Sequence, residues 1–342
     1  MPQTPSARLA FIGAGNHATG SLYPNLAQIP QFDLVAVCDL VEERARYAAR
    51  KFGALHWFTD VGTMLHEVQP DGVCVCGPAE MHHAVSLQTL RRGLPTFMEK
   101  PPALTLAETQ QLADAARDHG TWGMVAFMKR FAPANVVAKE FMASDAFGQL
   151  SSLTLIHSSG PYDDLRRMLL LNGIHMLDLA RFLAGEVESL FAHGRTDGVQ
   201  AASVSMRFAD GAVGQFNMNS GHTWTDCFEQ TYLSGSGAGI LIDASQRTEV
   251  FAESSRFAKG EGLVLYGWGS RYHVSGNMAG WEAGGHYTRG YWGELSHFAR
   301  AVLGQVEPTP TLADGVAAMA LIEAILQSVE SGQPVSVGAG QS

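Results

Sequence analysis

The feature that most constrains this chain is a short glycine turn, Phe11-Ile12-Gly13-Ala14-Gly15-Asn16-His17-Ala18. It follows the apolar run Leu9–Ile12, which reads as a buried strand, and precedes a helical pattern. In a strand–turn–helix unit the pattern G-x-G-x-x-G/A divides three tasks. Gly13 permits the tight turn, Gly15 lets the backbone approach a pyrophosphate, and a small third residue, here Ala18, allows close helix–strand packing. The phosphates then rest against a helix N-terminus, whose N–H groups and dipole favour anions. Such a unit places an acid about 20 residues further on. Asp39 lies 21 residues after Ala18 and closes the run Leu34-Val35-Ala36-Val37-Cys38. A carboxylate there suits the adenosine ribose hydroxyls and repels a 2′-phosphate, so the reading is NAD. Arg44 and Arg46, close in sequence, leave NADP open. The cofactor-binding candidates of this stretch are Gly13, Gly15, Asn16, His17 and Asp39.

The wider pattern gives the fold class. Leu9–Ile12, Leu34–Cys38, Val73–Cys76, Thr96–Met98 and Met124–Phe127 read as short buried strands. They alternate with amphipathic helical segments at Glu42–Phe52, Glu80–Arg92 and Leu106–His119. That alternation predicts an α/β domain with a doubly wound parallel sheet and helices on both faces. After about residue 130 the rhythm changes. Ser203–Phe208 and Gln215–Asn219 alternate polar and apolar residues, the mark of strands with one buried face. Runs near Leu153–Ile156, Glu229–Leu233, Gly239–Ile242 and Leu263–Tyr266 join them without intervening helices, which predicts an open, mainly antiparallel sheet. Helices are expected at Ala134–Met142, Met176–Leu183, Tyr291–Leu303 and Val316–Val329. The chain, at 342 residues, therefore divides into an α/β domain over 1–128 and an α+β domain over 129–342. The Gly- and aromatic-rich stretch 268–290 reads as a loop near a site or an interface.

Composition excludes several classes. With 46% hydrophobic and 16% charged residues the chain can bury real cores. Its net charge of −10 and lack of a basic run argue against nucleic acid. No run of about 18 apolar residues is seen, so no membrane span is expected, and Met1–Arg8 lacks signal-peptide design. A cytoplasmic enzyme with reduced thiols is the expectation. Cys74 and Cys76, alternating with valines, read as small buried hydrophobes. No metal is assigned, either to them or to His82-His83.

A further set of motifs runs the length of the chain. Gly77-Pro78-Ala79-Glu80-Met81-His82 is followed by Gly93-Leu94-Pro95-Thr96-Phe97-Met98-Glu99-Lys100-Pro101. Lys129-Arg130-Phe131-Ala132-Pro133, Gly173-Ile174-His175-Met176-Leu177-Asp178 and Leu312-Ala313-Asp314-Gly315 come after, in that order. This series resembles the Gfo/Idh/MocA oxidoreductases. The resemblance implies a Rossmann domain followed by an open-faced antiparallel sheet, a nicotinamide-dependent activity on a sugar, polyol or similar small molecule, and a homodimer or homotetramer formed through that sheet. It adds Gly77, Pro78, His82, Glu99 and Lys100 to the cofactor-binding candidates. Hydride transfer from an alcohol carbon needs a group that takes the hydroxyl proton and gains from a cation near the developing oxyanion. Lys100, at the carboxyl end of a parallel strand, is the candidate cation. His175, whose imidazole titrates near neutral pH, is the candidate proton acceptor. Asp178, three residues on, could orient its ring or only position the helix.

The match breaks before His175. Many family members carry an aspartate four residues before this histidine, in a glycine-rich stretch. Here Leu171 takes that place, and Arg166, Arg167 and Met168 stand where glycines are usual. Arg166 and Arg167 are then candidates for binding a substrate carboxylate or phosphate, or else surface arginines, and Asn172 is a further substrate candidate. Three functional readings follow: a dehydrogenase or reductase using Lys100 and His175, a redox-neutral NAD-using enzyme such as a glycosidase, or a cofactor-binding regulator without turnover. Retention of Lys100 and His175 favours the first.

Overall fold

The computed structural model describes residues 5–223, 227–252, 264–266, 269–271 and 287–338. The chain forms two compact units. One takes Met1–Met128 with Gly290–Met319, the other Lys129–Arg289 with Ala320–Ser342.

In the first unit six strands form one sheet: β1 (Ala7–Ile12), β2 (Phe32–Cys38), β3 (His56–Phe58), β4 (Gly72–Val75), β5 (Thr96–Met98) and β6 (Gly123–Val125). Their order is β3-β2-β1-β4-β5-β6 and every pairing is parallel. The chain thus builds outward from β1 on one side, then returns to its other side with β4. The strands read as continuous apolar runs because both faces are covered. Leu9, Ala10 and Phe11 of β1 are fully buried, as are Val73, Cys74 and Val75 of β4. The helix Glu42–Phe52 turns Ala45, Ala48 and Ala49 inward. The helix Leu106–Asp118 begins at a capping box, in which Thr105 and Glu108 each bond the other's backbone N–H. The helix Tyr291–Val302 belongs to this unit as well. Its Phe298 ring lies 5.7 Å from Phe97 and 5.6 Å from Trp122.

The second unit carries β7 (Leu150–Ser158), β8 (Val187–Arg195), β9 (Ala201–Phe208), β10 (Val213–Asn219), β11 (Phe228–Gly235), β12 (Ala238–Asp243) and β13 (Arg247–Ala252). A two-strand ribbon, β14 (Val264–Tyr266) with β15 (Gly269–Arg271), and the short β16 (Val335–Ser336) complete the list of described strands. The eight-stranded sheet runs β13-β12-β11-β7-β10-β9-β8-β16. It is antiparallel except where β7 and β10 pair in parallel. One face is inward. Ala202, Val204, Met206 and Phe208 of β9, and Phe216 and Met218 of β10, are buried. Helices of the same chain supply the cover these strands require. A Cβ on Gly173, just before the helix Ile174–Ala184, would sit 3.2 Å from the Met218 sulfur. Ser328 of the helix Leu312–Ser331 accepts the Ala192 N–H of β8 at 2.9 Å. The other face is polar with scattered aromatics, among them the exposed Phe228, Tyr232 and Phe251.

The helix Leu312–Ser331 is long and apolar enough to cross a membrane by length and composition, although Asp314 and Glu323 interrupt it. Half of it is buried inside the protein, with Met319, Ile322 and Ile325 fully so, as in a core helix. The expected loop 268–290 lies largely outside the described residues.

Phe216 is fully buried under the helix layer, so Phe216→Ala removes both apolar area and packing contacts. The expected cost is about 3–5 kcal/mol, read as a lowered midpoint in urea unfolding with an unchanged slope.

Candidate functional site

In the first unit the carboxyl ends of β1, β2, β4 and β5 bring together nearly all the cofactor candidates. Gly13 leaves β1 at φ 102°, and a Cβ there would lie 1.7 Å from the Cys76 carbonyl oxygen. Only glycine fits this turn. Gly15 is different: a Cβ there would meet nothing within 4 Å, so open space stands over its backbone. Ala18 is buried and begins the π-helical turn Ala18–Leu22, which leads into Tyr23–Leu26. The Tyr23 hydroxyl donates to the Gly13 carbonyl at 3.1 Å and fixes the turn from beneath. Asn16 and His17 are exposed on the rim.

Asp39 sits just beyond β2. Its Oδ2 accepts the Ala14 N–H at 2.8 Å and its Oδ1 the Val41 N–H at 2.9 Å. The carboxylate braces the glycine turn, and each oxygen keeps lone pairs for further donors. The Arg46 guanidinium is held over the Trp57 ring at 5.6 Å and lies 3.6 Å from Glu42.

The strand-end loop after β5 is tied to this turn by Glu99. One carboxylate oxygen is 3.1 Å from His17 Nε2, and the other accepts the Lys100 N–H at 3.0 Å. Glu99 is 4% exposed. Burial alone would raise its pKa, but His17, Lys100 and His82 together outweigh that and hold it below the ordinary carboxyl value. His82 accepts the Gly77 N–H on Nε2 at 3.2 Å, which leaves Nδ1 to donate to the Pro101 carbonyl at 2.8 Å. Burial lowers its pKa, so the ring is the neutral tautomer this pair of bonds requires. His82 therefore ties the turn at Gly77, after β4, to the loop that carries Lys100. Gly77 and Pro78, at the start of the helix Ala79–Leu90, are exposed.

Sequence reasoning missed Glu294. It lies in the first turn of the helix Tyr291–Val302, fully buried, and neither carboxyl oxygen has a hydrogen-bond partner among the described residues. Burial, and then the Glu99 charge, push its pKa well above the ordinary value, with Lys100 pulling the other way. The signal was present. Tyr291, Glu294, Leu295 and Phe298 have the i, i+3, i+4, i+7 spacing of a core stripe, and an acid on that stripe is anomalous.

In the second unit His175 is 7% exposed, on the helix Ile174–Ala184. Asp178, fully buried, receives the Arg130 fork, Nε to Oδ2 at 2.9 Å and Nη2 to Oδ1 at 2.6 Å. Its carboxylate anchors the segment Met128–Phe131 to the helix. The Arg166 guanidinium is engaged by Glu323, with three contacts of 2.7–2.9 Å, whereas Arg167 is exposed. Asn172 donates from Nδ2 to the Ser159 hydroxyl at 2.8 Å.

A family model described as an oxidoreductase family, NAD-binding Rossmann fold, matches residues 7–127. A second, described as an oxidoreductase family, C-terminal alpha/beta domain, matches residues 168–337. The chain is 31% identical over 206 residues to the D-glucoside 3-dehydrogenase of Escherichia coli K12, spanning 54% of this chain and 57% of that protein. It is 24% identical to scyllo-inositol 2-dehydrogenase (NAD(+)) of Bacillus subtilis 168, over 96% of each. A solved structure of a dehydrogenase from Chromobacterium violaceum matches with a TM-score of 0.85 at 23% identity, covering 96% of this chain and 97% of that one.

A raised folded-state pKa means that native Glu294 keeps a proton the unfolded chain releases above about pH 4.5. Its burial is therefore tolerated below that pH and increasingly opposed as pH rises towards the folded value. Glu294→Gln keeps the shape of the neutral acid and cannot ionise. Its stability relative to the parent should grow between pH 5 and 8, with a slope approaching about 1.4 kcal/mol per pH unit, the value for one proton. Thermal or urea unfolding at the two pH values measures it. A difference independent of pH contradicts a protonated Glu294.

Proposed function

This chain belongs to the Gfo/Idh/MocA family of oxidoreductases, and we propose that its reaction is the oxidation of a secondary alcohol of a sugar or polyol, or the reverse reduction. The observation that carries the reading is the single sheet edge of the first unit, where the Gly13–Asp39 cradle and Lys100 are braced by one carboxylate, Glu99. The residues fit a dinucleotide. Open space stands over Gly15, and Asp39 presents two oxygens with acceptor capacity to spare. The Arg46 guanidinium lies over the Trp57 ring and beside Glu42, an engagement that supports NAD over NADP. Gly13, Gly15, Asn16 and His17 would border the pyrophosphate, Asp39 the adenosine ribose, and Gly77, Pro78 and His82 the strand edge beyond.

Bound NAD supplies a hydride acceptor. The protein handles the charge left behind. Lys100 is the cation for the oxygen that becomes an alkoxide and then a carbonyl, and His175 takes the hydroxyl proton. Glu99 and His82 hold the backbone on either side of Lys100, so the ammonium is presented from a fixed base. The Arg166–Glu323 pair uses the guanidinium fork internally, which favours an uncharged hydroxyl-bearing substrate over an anionic one. The inositol and glucoside dehydrogenases among the relatives support the same class. Outward-facing Phe228, Tyr232 and Phe251 on the eight-stranded sheet support assembly of copies of this chain through that face.

Lys100→Ala should reduce kcat by roughly 10²-fold or more while NAD affinity stays within about threefold; absorbance at 340 nm and NAD titration read the two. Retained turnover removes Lys100 from the chemistry. Asp39→Asn removes the charge that repels a 2′-phosphate but keeps an acceptor oxygen. The ratio of NAD to NADP affinity should fall about tenfold, the equivalent of ~1.4 kcal/mol, and an unchanged ratio contradicts the ribose assignment.

A further inference from the structure

A chain of buried polar groups crosses the second unit and ends at Asn172. Lys129, 7% exposed, places its ammonium 2.6 and 2.5 Å from the two carboxylate oxygens of Glu229. The Ser245 hydroxyl donates to the same carboxylate at 2.7 Å. Glu229 on β11 stands directly opposite His157 on β7, with Oε2 3.3 Å from His157 Nδ1. His157 Nε2 is 3.2 Å from the Ser159 hydroxyl, and that oxygen receives the Asn172 Nδ2 at 2.8 Å.

The order acid, imidazole, hydroxyl is that of an activated nucleophile, but Ser159 is fully buried and its oxygen is held by Asn172. The sequence of donors points elsewhere. Burial raises the Glu229 pKa, yet the Lys129 ammonium and the His157 contact outweigh it and hold the carboxyl well below its ordinary value. An ionised Glu229 only accepts. The contact with Glu229 places a ring proton on His157 Nδ1, and in the tautomer with that proton alone Nε2 accepts the Ser159 proton. The Ser159 oxygen is left to accept, which is the role the Asn172 nitrogen demands. Each link fixes the next, and the amide of Asn172 is held with its nitrogen inward and its Oδ1 turned away from Ser159. The Tyr162 phenol lies against the same two residues, its pKa raised to about 12 by burial.

We propose that Asn172 is a specificity-determining residue that reads one substrate hydroxyl as a hydrogen-bond donor through Oδ1, and that Ser159, His157 and Glu229 are positioning residues that keep this amide from turning over. The proposal rests on the polyol reading above. Asn172 stands three residues before His175, is half-exposed, and carries an amide whose direction the buried chain dictates.

The test has two arms. In the first, NADH formation is followed with myo-inositol, scyllo-inositol and methyl β-D-glucoside, and with monodeoxy analogues of whichever is oxidised best. Ser159→Ala and Asn172→Ala should raise KM about tenfold on the full polyol, change kcat by less than about threefold, and leave NAD affinity as in the parent. Both effects should vanish on the one analogue that lacks the hydroxyl Asn172 reads. Ser159→Thr, which keeps the hydroxyl, should restore the parent KM. Equal losses on every analogue, or a loss confined to kcat, overturn the proposal. The second arm needs no substrate. The ¹⁵N shifts of the His157 ring in the intact protein should show protonated Nδ1 and bare Nε2; the opposite tautomer reverses the polarity at Asn172 and overturns it. If the parent oxidises none of the three polyols, the polyol reading fails and the hydroxyl-reading role falls with it, while the tautomer still decides separately whether the amide is fixed as argued.

Discussion

The first unit is organised by a near-collision. A Cβ on Gly13 would stand 1.7 Å from the Cys76 carbonyl oxygen, so the turn leaving β1 passes against the end of its neighbour β4. Between these two strands the sheet order reverses, and there crossovers on opposite sides of the sheet leave a crevice at the carboxyl ends. The side-chain-free turn puts backbone into that crevice where any larger residue would fill it. Tyr23 from below and Asp39 from the side then hold a turn that has no side chain of its own at its tightest point.

Beyond that turn, charge placement decides what the edge can do. Three buried carboxyls behave differently because their neighbours differ. Glu99 is surrounded by His17, Lys100 and His82 and is ionised despite burial. Glu229 has Lys129 against both oxygens and is likewise ionised despite burial. Glu294 faces Glu99 without a hydrogen-bond partner among the described residues, and is driven towards its neutral form. Desolvation opposes ionisation in all three, so the local cations make the difference. A neutral Glu294 beside the ionised Glu99 also keeps the surroundings of Lys100 from accumulating two negative charges.

What the sequence revealed follows the range of each interaction. Buried strands and amphipathic helices repeat over a few residues, and the helix Glu42–Phe52 and strand Thr96–Met98 were legible to the residue. The strand His56–Phe58 escaped because it is a three-residue edge with partly exposed side chains, so neither alternation nor an apolar run marks it. The turn at Gly13 and the acid at Asp39 were legible because backbone geometry dictates their spacing. Asp178 was read as a possible partner of His175, and its carboxylate also takes the fork of Arg130, 48 residues away in sequence. Arg166 was read as a possible anion binder, and it meets Glu323, 157 residues away. Ion pairs carry no local periodicity, so a lone sequence shows the charges and not their partners. The helix Tyr291–Val302 was legible as a helix, but nothing local ties it to strands nearly 200 residues earlier, such as that of Phe97.

The replacement of an acid by Leu171 illustrates how such distant contacts can alter the meaning of a motif. An aspartate at that position would bring an acceptor to the helix start on its own side chain. Leucine cannot. One residue later, Asn172 is an acceptor only if its amide faces the right way, and an isolated amide has no preference between its two ends. The preference comes from Ser159, whose proton is committed to His157, whose own proton is committed to Glu229, whose charge is sustained by Lys129. The motif position lost a built-in acceptor, and the second unit contains a buried chain that makes the neighbouring amide into one. The two solutions differ in kind: an aspartate carries its polarity in its own charge, while Asn172 takes its polarity from residues as far as β11, so substitutions well removed from the helix would change which end of its amide faces outward.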